Sequence, residues 1–283
     1  MFETISAARL SNKDFQKLKK VVESALGIKM PETKIQMLEA RLRKRLKHLN
    51  INSYSEYCDY LFSEEGQINE MVHMMDVTTT NKTDFFREPQ HFDFLSKTAL
   101  PDIENKFQIT FDKKLKVWSA GCSTGEEPYT LGMVLSEHKS SSINFDYDIF
   151  ASDISTKVLE EAGKGIYDFD RIAPVPFELR KKYLLKSKDP EKRLVKVIPE
   201  LKKKVQLQRL NLITDEFFKN GKFHIIFCRN VMIYFEKENQ RKLIEKFYDV
   251  LESGGYLFIG HSETLLTVDL PLAQRAPSVY QKK

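Results

Sequence analysis

Between Trp118 and Met133 the chain reads WSAGCSTGEEPYTLGM, a run of small residues closing on two adjacent glutamates, Glu126 and Glu127. The stretch Leu115 to Val117 leads into it as a strand, and a helix follows, the layout of a nucleotide-binding loop. The chemistry these residues allow is narrow. A P-loop needs G-x-x-x-x-G-K-[ST], whereas Gly125 is followed by carboxylates and no lysine. A carboxylate about 4 Å from a phosphate is repelled by roughly 4 kcal/mol at an effective dielectric near 20. The dinucleotide pattern G-x-G-x-x-G is also missing, since the loop's glycines are Gly121 and Gly125. The loop suits a ligand with adenosine-like groups, a ribose diol and positive charge, but no phosphate. Taken alone, it fits equally well an acidic pair that merely satisfies a helix dipole.

Open parallel sheets bind ligands beyond the carboxyl ends of their strands, so the other strand ends matter. Asp153 ends Tyr147 to Ser152, at the place where such sheets hold ribose hydroxyls. Asn211 and Leu212 follow Val205 to Leu210, and Arg229 and Asn230 follow Phe223 to Cys228. The set is polar, acidic or amide, and poor in lysine. S-adenosylmethionine carries the matching groups: a ribose diol, an ammonium and a sulfonium. No Ser/His/Asp or Cys/His constellation is apparent, and GHS at Gly260 to Ser262 is an incomplete G-x-S-x-G. Cys58, Cys122 and Cys228 form no C-x-x-C, and the six histidines form no H-x-x-x-H, so neither a disulfide nor a metal site is expected.

The elements that must position these residues fall into two kinds. Residues 1–75 read as all helix. Apolar stripes run through Asp14 to Ala25, from Pro31 to Leu49, from Ser53 through Leu61, and from Glu65 to Met75, with Gly27 as a stop and Ser53 as a cap. Residues 76–90, DVTTTNKTDFFREP and one residue more, read as a linker facing a ligand. From Leu115 strands alternate with helices (Glu127 to Leu135, Thr156 to Ala162, Glu238 to Leu251), which argues for a parallel, doubly wound sheet over residues 91–283. Gly254 and Gly255 read as the stop of the last helix, with a fifth strand from Tyr256 to Gly260. Residues 165–204 are too long for a simple crossover. With the alternating segment RLVKVI (Arg193 to Ile198) they read as an inserted, partly antiparallel subdomain.

Five stretches in this order, TTNKTDFFREP, VWSAGCSTGEEPYTLGM, FASDISTKVLEEAGKGIY, IIFCRNVMIYF and GHSE, together resemble the bacterial chemotaxis receptor methyltransferases, the CheR family. The resemblance spans roughly Leu10 to Tyr280. It implies an α/β protein: an all-helical N-terminal domain before a Rossmann-like methyltransferase domain with a small inserted antiparallel β-subdomain. It implies methyl transfer from S-adenosyl-L-methionine to glutamate side chains on the cytoplasmic helical region of chemoreceptors, giving a γ-methyl ester and S-adenosyl-L-homocysteine. By the same resemblance the cofactor contacts fall on Asn81, Thr83, Arg87, Gly121, Glu127, Asp153, Asn211, Leu212, Cys228, Arg229 and Asn230. The basic second helix, Arg41 and Arg45 included, would meet acidic receptor helices, and the β-subdomain is where some members dock a receptor's C-terminal tail. The chain departs little from the pattern; Cys122 stands where a small residue such as alanine would be ordinary.

A carboxylate acceptor is already ionised at neutral pH, so no general base is needed and positioning carries the catalysis. Arg87 is the candidate for orienting that carboxylate, with a loop-capping arginine as the bland reading. Tyr234 is the candidate for lining the same slot, with a core aromatic as its bland reading. NVMIY after the fourth strand lacks the prolines of an N-P-P-Y loop, which disfavours an amine acceptor.

Composition bounds the rest. The chain has 283 residues, 41% hydrophobic, with a net charge of +5. No apolar run reaches the ~18 residues needed to cross a membrane, and the N-terminus lacks a signal-peptide pattern. A cytoplasmic monomer without membrane insertion is expected. The clusters Arg41 to Lys47 and Arg180 to Lys182 raise a nucleic-acid methyltransferase as a rival. The first of them carries no interleaved aromatic for base stacking, so no nucleic-acid partner is expected. A non-catalytic module that binds S-adenosylmethionine is the second rival, separable by a turnover assay.

Overall fold

The structure, a computed structural model, describes residues 9–142, 144–189, 191–218, 222–265 and 269–283. It divides into two compact units. One comprises the chain to Thr80 together with Tyr234–Asn239, and the other comprises Asn81–Ile233 and Gln240–Lys283.

The first unit is built from α1 (Asn12–Leu26), α2 (Ile35–Leu49), α3 (Tyr54–Leu61), α4 (Glu64–Asn69) and α5 (Met71–Thr78). Its apolar stripes are buried as their spacing requires: Phe15, Leu18 and Val22 on α1, and Leu38, Leu42 and Leu46 on α2. Gly27 ends α1 with φ +65, and Ser53 caps α3 by accepting from the Glu56 N–H. Two expectations change. The single helix over Glu65 to Met75 is two helices separated by a turn at Glu70, φ −113 and ψ −26. Its buried carboxylate accepts from Arg45 Nε at 2.8 Å and from the Tyr57 hydroxyl at 3.0 Å. The second helix runs on to Thr78, so Asp76 to Thr78 are helix rather than linker.

The second unit opens with α6 (Pro89–Phe94), a π-helical turn (Leu95–Ala99) and α7 (Leu100–Phe107). There follow β1 (Leu115–Ala120), α8 (Glu126–Ser141), β2 (Tyr147–Asp153) and α9 (Thr156–Lys164). The insertion holds β3 (Ile166–Asp168), α10 (Phe177–Tyr183), β4 (Leu184–Lys186), β5 (Leu194–Val197) and α11 (Pro199–Lys202). The chain returns through β6 (Val205–Arg209), β7 (Phe223–Cys228), α12 (Lys237–Val250), β8 (Leu251–Ile259), β9 (Leu272–Ala276) and β10 (Val279–Lys282).

The main sheet has the order β6-β2-β1-β7-β8-β10-β9, and the insertion forms a separate antiparallel sheet, β3-β5-β4. From β6 to β8 the pairings are parallel, while β10 and β9 add antiparallel at one edge. Every residue of β7 is buried, as expected of a central parallel strand covered on both faces. The chain steps from β1 to β2 on one side and reaches β7 on the other, so strand order reverses at β1 and opens a crevice over its carboxyl end. The glycine pair is a correction. The last helix stops at Val250, and Gly254 and Gly255 lie inside β8, where the pairing with β7 shifts register. Gly254, with φ +93, marks a bulge rather than a helix stop.

Candidate active site

The loop after β1 is shaped by what cannot stand there. Gly121 has φ +83, and a Cβ on it would lie 2.4 Å from Val231 Cγ2. Its N–H donates to the Ser152 carbonyl at 2.8 Å, which folds the loop back over β2. Gly125, with φ +96, starts α8, and a Cβ there would come within 2.9 Å of the Tyr167 hydroxyl oxygen.

The two glutamates face different partners. Glu126 is fully buried, accepts from Thr124 Oγ1 at 2.7 Å and pairs with Arg171 of the insertion. The Tyr167 hydroxyl donates to the Thr124 carbonyl at 2.7 Å, so the small sheet is pinned to the loop at two points. Burial raises the Glu126 pKa above its ordinary value. Glu127 accepts from Ser119 Oγ at 2.7 Å and from Arg229 Nη1 at 3.2 Å. Burial raises its pKa as well, against the pull of Arg229. The sequence reading gave Glu127 a cationic ligand as its match; in the structure Arg229 already supplies the counter-charge.

Asp153 ends β2 with its carboxylate aimed by two backbone amides. Ser123 N donates to Oδ2 at 2.8 Å and Ser155 N to Oδ1 at 3.0 Å. Both oxygens are thereby fixed at the carboxyl end of β2, and a carboxylate accepts only, as a diol requires. Asn81 reaches the same loop through its backbone, its carbonyl accepting from Ser123 Oγ at 2.9 Å, and Thr83 is partly buried just beyond. Asn211 uses its side chain locally: Oδ1 accepts from Ile213 N at 3.0 Å, an Asx-type turn that fixes the loop after β6. Leu212 beside it is 8% exposed, an apolar wall.

Cys228, Arg229 and Asn230 stand at the end of β7, and each presents itself differently. Cys228 is completely buried. Arg229 is 6% exposed, and its guanidinium is consumed by Glu127, by the Arg87 carbonyl and by Glu88 Oε2 at 3.1 Å. It lies over the rings of Phe92 and Phe227. The side chain is therefore a structural cation and not a free cofactor contact. Asn230 sits in left-handed backbone, φ +58, with Nδ2 donating to Glu88 Oε1 at 3.2 Å and its N–H donating to Glu263 Oε2 at 3.1 Å. Arg87 has Nη1 on the Lys82 carbonyl at 3.0 Å, an anchor that bends its own loop.

Glu88, Glu263, His91 and His261 are residues that sequence reasoning assigned no role. Glu88 lies within FFREP and Glu263 and His261 within GHSE, but the bonds that join Glu88 to Asn230 and His261, and Glu263 to Asn230, span 142, 173 and 33 residues. Among the described residues, ligating atoms of Glu88, His91 and His261 lie within 4.8 Å of one another. Arg229 already occupies Glu88 Oε2 as its cation, so the group reads as a charge hub. His91 is neutral, burial pushing its pKa down to about 4.

Three expected residues belong to the first unit. Arg41 Nη1 donates to the Thr78 and Thr79 carbonyls at 2.5 and 3.0 Å, and Nη2 to Thr80 Oγ1 at 2.9 Å. Arg45 is a correction: it is spent on buried Glu70, with 15% of its side chain exposed. Tyr234 accepts at its carbonyl from Lys29 N at 2.8 Å.

A crevice at a strand-order reversal, a glycine-shaped loop, an amide-pinned aspartate and no phosphate cradle define an α/β sheet that binds a phosphate-free nucleoside cofactor. Family models agree and go further. Residues 81–277 match the CheR methyltransferase SAM binding domain and residues 13–76 the CheR methyltransferase all-alpha domain. The chain is 42% identical to a chemotaxis protein methyltransferase of Borreliella burgdorferi, over 90% of this chain and 89% of that one. It is 36% identical to chemotaxis protein methyltransferase 2 of Pseudomonas aeruginosa, over 90% and 88%, and 33% identical to the Escherichia coli chemotaxis protein methyltransferase, over 96% and 91%. The chain belongs to the CheR methyltransferase family, and S-adenosylmethionine is its cofactor. The site fits that group: Asp153 offers a carboxylate at the place of the diol, Gly121 leaves room, and Asn230 Oδ1 is a buried acceptor with no hydrogen-bond partner among the described residues.

Proposed function

We propose that this protein methylates glutamate side chains on the cytoplasmic helical region of a chemotaxis receptor, forming γ-methyl esters and releasing S-adenosylhomocysteine. Bound S-adenosylmethionine supplies an activated methyl group. The residues of the chain do the rest by placement. Asp153 holds the ribose, Asn211 shapes the loop whose Leu212 packs against the adenine, and Asn81, Thr83 and the Gly121 loop enclose the middle of the ligand. Arg87 draws the acceptor carboxylate into line with the methyl. In-line placement contributes up to roughly 7–11 kcal/mol, and the acceptor, ionised at neutral pH, needs no base.

The observation that carries this reading is the carboxylate lining at the end of β1 and β2. Glu127 is partly buried beneath it and Asp153 is aimed by two amides, which favours a ribose without phosphates. The relatives' names supply the chemotaxis context. The exposed Lys44 and Lys47 of α2, with Arg41, suit acidic receptor helices. The antiparallel sheet has two edges, β3 and β4, and exposed Ile166, Phe177 and Leu185 nearby, a surface for a receptor's C-terminal tail added as a strand. The protein works in the cytoplasm as a monomer; among the described residues no helix is long and apolar enough to cross a membrane.

Labelled S-adenosylmethionine, receptor fragment and purified protein should together yield methyl groups that alkali releases. Alkali-stable label, or no label with any receptor tried, would sink the proposal.

A further inference from the structure

Asn230 presents a buried amide with one half satisfied and one half not. Nδ2 donates to Glu88 Oε1, while Oδ1 is buried without a hydrogen-bond partner among the described residues. The assignment of the two atoms follows from chemistry. Glu88 is held ionised, since Arg229, Asn230 and the His261 amide outweigh the cost of its burial and lower its pKa. An ionised carboxylate only accepts, so the NH2 group must face it and the oxygen must face the other way.

Glu88 is itself placed for this task. It stands in left-handed backbone, φ +55, which turns its side chain back toward the end of β7. Four N–H groups converge on the carboxylate: Arg229 Nε at 3.3 Å and Nη2 at 3.1 Å, Asn230 Nδ2 at 3.2 Å, and His261 N at 3.3 Å. Gly260 gives the amide its space, because a Cβ there would lie 2.7 Å from Asn230 Nδ2. A buried amide oxygen left without a donor is costly, which raises the question of what supplies the donor.

Sheet order indicates which donor. Asp153 ends β2 and Asn230 ends β7, on opposite sides of β1. A ligand whose ribose lies at β2 and whose adenine lies toward β6 extends its amino-acid end over β1 to β7. We infer that Glu88 is a positioning residue: it locks the Asn230 amide so that Oδ1 accepts from the α-ammonium of the cofactor. The inference rests on the cofactor placement proposed above.

Calorimetry on the full chain with two ligands tests it. S-adenosylhomocysteine carries the ammonium; 5′-methylthioadenosine shares the adenosine thioether but lacks the amino-acid end. Glu88→Gln frees the amide to turn and should weaken S-adenosylhomocysteine about 10- to 100-fold, the scale of one charge-assisted hydrogen bond. Methylthioadenosine affinity should stay within about 2-fold, well inside that scale. Glu88→Asp, which keeps the charge, should recover part of the loss. Asn230→Ala should reproduce the selective loss, which keeps the inference testable if Glu88→Gln folds poorly. Equal weakening of both ligands would overturn it, because Glu88 would then be structural or Oδ1 would serve the adenine amine. No weakening of either ligand would also overturn it. A wild-type protein that binds neither ligand would instead remove the proposed cofactor placement.

Discussion

Single side chains in this protein are assigned by what already holds them. Arg87 and Arg229 look alike in sequence, yet Arg229 is buried between two glutamates while the Arg87 guanidinium is held by the Lys82 carbonyl of its own loop. Their substitutions should separate accordingly. Arg87→Ala should lower kcat by ~100-fold, the cost of a misplaced acceptor, with little change in S-adenosylhomocysteine affinity. Asp153→Ala should do the reverse, weakening S-adenosylhomocysteine by roughly 10- to 100-fold through lost charge-assisted bonds to the diol. Unchanged affinity in the Asp153 variant, read by calorimetry, would show that the ribose lies elsewhere. The sequence made the positions of Asp153, Gly121 and Asn230 legible, because strand ends follow from apolar runs and turn residues. It did not reveal that Glu127 is neutralised within the chain. The Arg229–Glu127 pair joins residues 102 apart, and no local pattern encodes it.

The elements show where local rules are enough and where they fail. β7 was legible from six consecutive apolar or aromatic-flanked positions, and α1 from its stripe and glycine stop. β9 and β10 were not, since LAQRA and VYQK mix polar and apolar residues without alternation strong enough to read. The bulge in β8 mimics a helix stop, because a glycine with positive φ serves either purpose. At this scale the junction between the loop and the insertion is the test. Arg171 is 40% exposed while Glu126 is fully buried, so Arg171→Ala strands a buried carboxylate. Urea unfolding should show a loss of roughly 2 kcal/mol, less than for a fully buried pair because the arginine is half in solvent. Adding Glu126→Gln should restore part of it by removing the charge. Equal stability of Arg171→Ala and wild type would show that the pair contributes nothing.

For the whole molecule, pH acts through buried histidines and carboxyls in opposite directions. His91 and His224 are neutral in the folded protein, burial pushing each pKa down to about 4 from 6.5. The unfolded chain takes up protons first, so their contribution is intact above pH 6.5 and is lost as pH falls toward 4. Glu126, Glu127 and Glu263 have raised pKa values, mainly through burial, and run the other way, favouring the fold as they protonate. A variant isolates one contribution. His224→Asn keeps an acceptor for the Lys116 N–H, which the histidine Nδ1 now takes at 2.9 Å. Between pH 6.5 and 4 it should lose up to about 3 kcal/mol less stability than wild type; matching curves in thermal melts would show that His224 is not buried neutral. Finally, the small sheet is fastened by Arg171 and Tyr167 to Glu126 and Thr124, residues of the loop that shapes the cofactor crevice. It is consequently not a portable module. Grafting residues 165–204 onto another sheet would require carrying Thr124 and Glu126 as part of the same cassette, and redesigning either without the other would loosen both the graft and its host's nucleoside site.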